Sequence, residues 1–358
     1  MGFGRRRWTR IDVLVVLGIV ATAAALLVAG LPIAREASRR HHCADNLRQL
    51  GVGLQSYHQA HGLLPPIVFR EGPDLAFELE NLSSGGEHYS MQTVYANWAV
   101  MLLPYLGQDE LAAAFDPGVP ITDPANARAR ATELALMQCP SDAYNLPSNS
   151  YRMVPVEGPE STFARGNYAI NGGVSHLRFT PGTAWDPAPN GVAREYVKHG
   201  KAMIERIYGN GVAGFNKSFS VRQFDNGLAN LVGVDELRAG LLPDDCRGVW
   251  ALGEVAASAT WAHGFIGDDV GPNCPHPRSD DVIGCNQLHE ALGEAYLIRQ
   301  GMPCCSYALS AQATSRSMHP GGVHVLMMDG AVRFVDDEVD RSIWHAMHSR
   351  QTREVTVP

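Results

Sequence analysis

"IDVLVVLGIVATAAALLVAGLPI" (Ile11–Ile33) and the "AREASRRHHCADNLRQLGVGLQSYHQAHG" that follows it (Ala34–Gly62) decide the fold. The first stretch is 23 residues long and carries one charge, Asp12. Wound as a helix at ~1.5 Å per residue it reaches about 34 Å, enough to cross the apolar core of a bilayer. The second stretch has no strong breaker before Gly62 and the Pro65-Pro66 pair. Its Cys43, Leu47, Leu50, Leu54 and Tyr57 recur at intervals of 4, 3, 4 and 3, the stripe of an amphipathic helix. Gly51 and Gly53 weaken that helix without ending it. The sequence therefore divides into a basic leader and transmembrane helix (1–33), an amphipathic continuation (34–62) and a body (63–358).

Arginines flank both ends of the apolar run: Arg5, Arg6, Arg7 and Arg10 before it, Arg35, Arg39 and Arg40 after it. The positive-inside signal is thereby diluted. Seven cysteines supply the second criterion, because they suit an exported, disulfide-forming compartment. The expected location is the inner membrane, crossed once by residues 11–33, with the body extracytoplasmic. A cleaved secretory signal is the rival, with a poor cleavage site near residues 29–30. Asp12 is either solvated at the interface beside Arg10 or paired with a cation of a neighbouring subunit.

The body is long and apolar enough for a sizeable core: 358 residues in the chain, 45% of them hydrophobic. Only 18% are charged, the formal net charge is -8, and no basic run follows the N-terminus. That balance gives no footprint for nucleic acid. The 36 glycines and 22 prolines point to many turns and short strands.

The leader "RRRWTRIDVLVV" resembles the start of type IV prepilins and type II secretion pseudopilins, with Trp8-Thr9 before Ile11 and an acid at position 12. Arg35, Glu36, Ala37, Arg39, Arg40, Cys43, Asn46, Leu47, Gln49, Tyr57, His58, Pro65 and Pro66 narrow the resemblance to the DUF1559 family. There a pilin-like helix runs into such a segment. Where that family has Gly before the cleavage site this chain has Arg7, and where it has Glu this chain has Asp12. Arg7, Trp8 and Asp12 are thus the positions that bear on processing and assembly. "NWAVMLLPYLGQDELAAAF" (97–115), "LMQCPSDA" (136–143), "GNYAINGG" (166–173) and "VRQFDNGLANLVGVDELRAG" (221–240) resemble further family segments. The resemblance implies an α+β fold, a long helix packed on an antiparallel sheet.

Cys139 has no cysteine or histidine within three residues, so local metal spacing is absent. A disulfide from Cys139 to Cys43, tying body to helix, is the expectation, with Cys274, Cys285, Cys304 and Cys305 as further candidates and Cys246 left over. Cys274-Pro-His276 and Cys304-Cys305 invite a zinc reading, but no Cys-x-x-Cys pair supports it and disulfides are the better default. Asp225, Asn226 and Asn230 offer oxygen ligands to calcium, against the plainer reading of a capping turn.

"MHPGGVHVLMMDGAVRFV" (318–335) resembles the closing H-X9-DG domain of the same family: His319, nine residues, then Asp329-Gly330. Two β-prone runs around Asp-Gly predict a hairpin with a two-residue type I′ turn. His319 and Asp329 should lie at its opposite ends, out of reach for a catalytic dyad. His319 is expected to cap or hydrogen-bond another loop. No Gly-x-Ser-x-Gly or His-Glu-x-x-His is present, so the chain reads as a non-enzyme without cofactor. The leading function is a membrane-anchored pilin-like or pseudopilin-like assembly protein, partnered by like subunits or secretion machinery. The alternative is a tethered ligand-binding module, such as a carbohydrate binder using Trp98, Trp185, Trp250 and Trp261, or a secreted enzyme.

Overall fold

The computed structural model describes residues 9–70, 94–153, 161–174, 197–199, 202–204, 209–261, 271–305 and 312–351; the side chains of 23–29, 70, 197–199 and 202–204 lie outside that description. Helix α1 runs unbroken over Arg10–His61. It starts with a capping box in which Thr9 Oγ1 accepts from Asp12 N and the Asp12 carboxylate accepts from Thr9 N. Asp12 therefore serves its own helix. Pro32 sits inside α1, costing one backbone hydrogen bond but not the helix. Gly62 ends it at φ 72, the left-handed cap that a residue without Cβ adopts freely.

The two halves of α1 differ in surroundings. Every described side chain before Glu36 is exposed, and burial begins with the Cys43, Leu47, Leu50 and Leu54 stripe. Gly51 and Gly53 have a packing reason: a Cβ there would come within 2.9 Å of Leu326 and 2.6 Å of Leu106. Both glycines let the helix lie close on the body. No helix among the described residues is long and apolar enough to cross a membrane.

Among the described residues, three two-stranded ribbons and one five-stranded sheet make the β-structure. Strands β1 (Val68–Arg70) and β2 (Val94–Asn97) pair, as do β3 (Tyr151–Met153) and β4 (Ser161–Phe163). The central sheet holds β5 (Tyr168–Asn171); β6 (Val197–His199) and β7 (Ala202–Ile204) form the third ribbon. The sheet is completed by β8 (Val232–Glu236), β9 (Ala259–Thr260), β10 (Gly322–Met327) and β11 (Val332–Asp336), in the order β11-β10-β8-β5-β9. It is antiparallel except that β9 runs parallel to β5. The fold is thus α+β with antiparallel sheets. Helix α1 lies against one face, where Leu326 meets Leu47, Leu50 and Leu54 in the main core. Helix Arg341–His348 covers the other face, where Trp344 packs among Val232, Val323, Val325, Met327 and Val335.

The β10–β11 hairpin forms, but its turn differs from the type I′ expectation. The Gly330 amide donates to Met327 O at 2.9 Å, and Met327 N donates to Ala331 O at 2.7 Å. The loop is therefore three residues, Met328–Gly330, with Gly330 at φ 90 and Asp329 not in the left-handed region. A type I turn closed by a glycine bulge needs only one positive φ, and the Asp329 carboxylate accepts from Ala331 N at 3.0 Å to hold it.

Much of the body is irregular chain held by buried arginines. Arg165 donates to the carbonyls of Asn149, Leu242, Asp245 and Arg247. Arg247 bridges Asp245 at 2.8 Å and Asp280 at 3.0 Å, and Arg316 meets Asp280 at 2.8 Å. In each of the three all guanidinium nitrogens find an acceptor, the condition under which such groups tolerate burial.

Candidate functional site: the clasp between helix and body

The point where α1 enters the body gathers residues from four distant segments. The helix supplies Glu36, Arg39, Arg40 and Cys43, one to two turns apart on one side. The loop after Met137 supplies Cys139 and Ser141, β8 supplies Glu236, the approach to β10 supplies His319 and β10 itself His324. Cys43 and Cys139 form a disulfide with Cα atoms 5.2 Å apart.

His319 is the centre of the arrangement, with a fully buried side chain. Its Nδ1 lies 2.6 Å from Glu36 Oε1 and its Nε2 3.3 Å from Glu236 Oε1. Nε2 also lies 3.5 Å from Cys139 Sγ. Glu236 is further held by the His324 amide at 2.7 Å and by His324 Nδ1 at 3.2 Å. On the outer side Glu36 Oε2 takes Arg39 Nη2 at 2.6 Å and the Ser141 hydroxyl at 3.1 Å. Arg40 donates to Pro320 O and stacks 4.5 Å from the Phe334 ring.

Burial alone would disfavour charge on His319, but its hydrogen bonds to Glu236 and then Glu36, with their fields, raise its pKa above the ordinary value. Burial likewise works against ionised Glu236, and His319 and then His324 outweigh it, lowering the pKa. For Glu36 the desolvation is again outweighed, by His319 and Arg39. Both ring nitrogens face carboxylates, so the protonated ring is a charge-assisted link from helix to sheet. His319 does touch another loop, at Cys139, but its two charged partners come from a helix and a strand. His319 and Asp329 stand at opposite ends of the hairpin, since Gly322 pairs with Asp336 while Asp329 lies in the turn.

The other candidates fall elsewhere. Cys285 and Cys304 form a second disulfide, with His289 Nε2 3.5 Å from Cys285 Sγ. Cys274 and Cys305 are buried outside both bridges, and Cys246 is a buried free thiol. Burial, then the field of Asp245, pushes the Cys246 thiol up to about 12. Asn226 donates its amide to Ala346 O at 2.8 Å, and Asn230 donates to Asn226 O at 3.1 Å. Both amides thus point nitrogen at carbonyls, holding a turn against helix Arg341–His348, and Asp225 ties its backbone N–H to Arg350 O. That arrangement fits the capping reading of the turn. Trp98, Trp250 and Trp261 are buried core residues, so they line no ligand surface; Trp185, Arg7 and Trp8 lie outside the described residues. An open groove of about 370 Å³ runs between α1 and the hairpin tip, floored by Leu54, Leu326 and Met328.

Sequence reasoning missed Glu236 and His324 as partners of His319, because no local pattern links a strand acid to a histidine before the next strand. The Thr9-x-x-Asp12 capping box carried a readable signal.

Residues 33–342 match the model of a family described as "Protein of unknown function (DUF1559)". No curated protein and no solved structure matches the chain. The match spans the clasp, both disulfides and the closing hairpin, and with that coverage the chain belongs to the DUF1559 family.

Proposed function

We propose that this chain is a membrane-anchored, pilin-like or pseudopilin-like structural subunit, with α1 as anchor and assembly element and the body as an extracytoplasmic head. One observation carries the reading: the described side chains in the N-terminal half of α1 are bare while its C-terminal half is clasped. Ile11 is 71% exposed, Leu14 68%, Ile19 63% and Ile33 74%, with Val15, Leu17, Val20 and Leu31 exposed beside them. Such an apolar surface on one helix needs a lipid or protein environment. Counted over the full sequence, with side chains 23–29 outside the described ones, the apolar run of residues 11–33 is as long as a bilayer core is thick, and the two disulfides suit an oxidising compartment on its far side. The clasp then has a mechanical role: any load on the anchor enters the sheet through Cys43–Cys139 and Glu36–His319–Glu236. No catalytic constellation is part of this reading.

Mass spectrometry of the mature N-terminus from native membranes tests it. An intact N-terminus, or cleavage after Arg7 leaving Trp8 first, keeps the anchor and supports the proposal. Release near Gly30 into the soluble fraction removes the anchor and refutes it.

A further inference from the structure

The clasp holds more chemistry than a disulfide needs. Cys43 Sγ, Cys139 Sγ, His319 Nε2 and Glu236 Oε1 all lie within 4.8 Å of one another, and all four residues are buried. We propose that these four atoms are a Zn²⁺ site when the Cys43–Cys139 bridge is open, so that the junction closes either by a disulfide or by a metal ion.

Geometry argues for this first. Tetrahedral zinc with bonds of about 2.0–2.3 Å needs neighbouring ligand atoms roughly 3.3–3.8 Å apart. Two edges of that tetrahedron already exist: Cys139 Sγ to His319 Nε2 at 3.5 Å and His319 Nε2 to Glu236 Oε1 at 3.3 Å. The two sulfurs must separate, the remaining edges lie within 4.8 Å, and with the cysteine Cα atoms 5.2 Å apart side-chain rotation is the motion required.

The surroundings argue for it second. Glu36 accepts from His319 Nδ1 at 2.6 Å, which fixes the ring and leaves Nε2 as the ligating nitrogen. A carboxylate behind a histidine is the usual outer support of a zinc ligand. The other oxygen of Glu236 is fixed by the His324 amide at 2.7 Å, so Oε1 is aimed at the site. Each ligand comes from a different segment, which is why spacing around Cys139 gave no metal signal. The rival group Cys285, His289 and Cys304 offers three ligands only.

The exchange balances. A dithiol reductant passes two electrons to the Cys43–Cys139 bond and becomes a disulfide itself, leaving two thiols. Zn²⁺ then replaces both thiol protons and the Nε2 proton of His319, and three protons go to solvent.

The test uses the full chain in detergent, reduced by a dithiol that is removed without air, with Zn²⁺ or Co²⁺ as probe. The reduced Cys285→Ser/Cys304→Ser chain should retain one Zn²⁺ after dialysis, and Co²⁺ should give the visible bands of tetrahedral sulfur coordination. Cys139→Ser should lose that ion, and Glu36→Gln should bind it about 10–100-fold more weakly. A readout in the unaltered chain guards against misfolded variants: Zn²⁺ should slow iodoacetamide labelling of reduced Cys43 and Cys139 by about tenfold or more. Zn²⁺ that leaves both labelling rates unchanged, or binding that disappears only with Cys285 and Cys304, overturns the proposal. Either result leaves the anchoring role untouched.

Discussion

His319 Nδ1 sits 2.6 Å from Glu36 Oε1 although 283 residues separate them in the chain. This contact closes the protein on itself: the last hairpin reaches back to the helix that began the body.

Removing the histidine should be costly. His319→Ala leaves Glu236, 1% exposed, as a buried charge short of its main partner. Loss of one member of a buried pair costs about 3–5 kcal/mol. Denaturant unfolding of the oxidised body should show a drop of that order, whereas Asp329→Asn, at the exposed turn, should change stability by less than about 1 kcal/mol.

The same cluster sets a pH window in the oxidised, chelator-treated chain. The groups facing His319 are Glu36 and, through it, Arg39 and Arg40 on α1, Glu236 on β8, His324 on β10 and the Cys139 sulfur. The pKa of His319 is raised on folding, so its contribution is complete below its unfolded value of about 6.5 and is lost as pH rises through the folded value. Glu36 and Glu236 are lowered, so theirs is present above about 4.3 and is lost as pH falls through their folded values. Melting temperature should therefore be higher at pH 5.5 than at pH 8.5, and His319→Gln should flatten that difference.

Each disulfide should stabilise with the logarithm of the loop it closes. Cys43–Cys139 spans a separation of 96 residues and Cys285–Cys304 one of 19. Chain entropy assigns about 4–5 kcal/mol to the first and about 3 kcal/mol to the second. Calorimetry of Cys43→Ala/Cys139→Ala and Cys285→Ala/Cys304→Ala chains should rank them in that order.

Cys246 should be inert. Its thiol is 2% exposed and pushed up to about 12, so almost no thiolate forms near neutral pH. Iodoacetamide at pH 8 should label it only after unfolding.

How much of this was written in the chain follows from range. The stripe from Cys43 to Leu54 is a local period, and it appears in the structure as the buried face of α1. The hairpin around Asp329-Gly330 was legible for the same reason, but the turn type was not: a three-residue loop and a two-residue loop carry the same Asp-Gly signal, and the register of β10 with β11 chooses between them. The Cys43–Cys139 pairing, expected because Cys139 lacks metal spacing and the chain suits an oxidising compartment, is present in the fold. The clasp itself was hidden. Glu36 and Glu236 look like surface acids in the sequence, and only the approach of α1 to β8 makes them the two walls of a histidine site. Gly51 and Gly53, read as weak points of a helix, are instead the places where that helix comes closest to its neighbours.

The central claim is that one half of α1 anchors while the other is clasped. Flotation with phospholipid vesicles tests it most directly, comparing the full chain with residues 34–358. The account requires the full chain to float with the vesicles, and the shortened chain to stay below, folded and with Cys43–Cys139 intact. A full chain that remains below, or a shortened chain that floats as well, contradicts it.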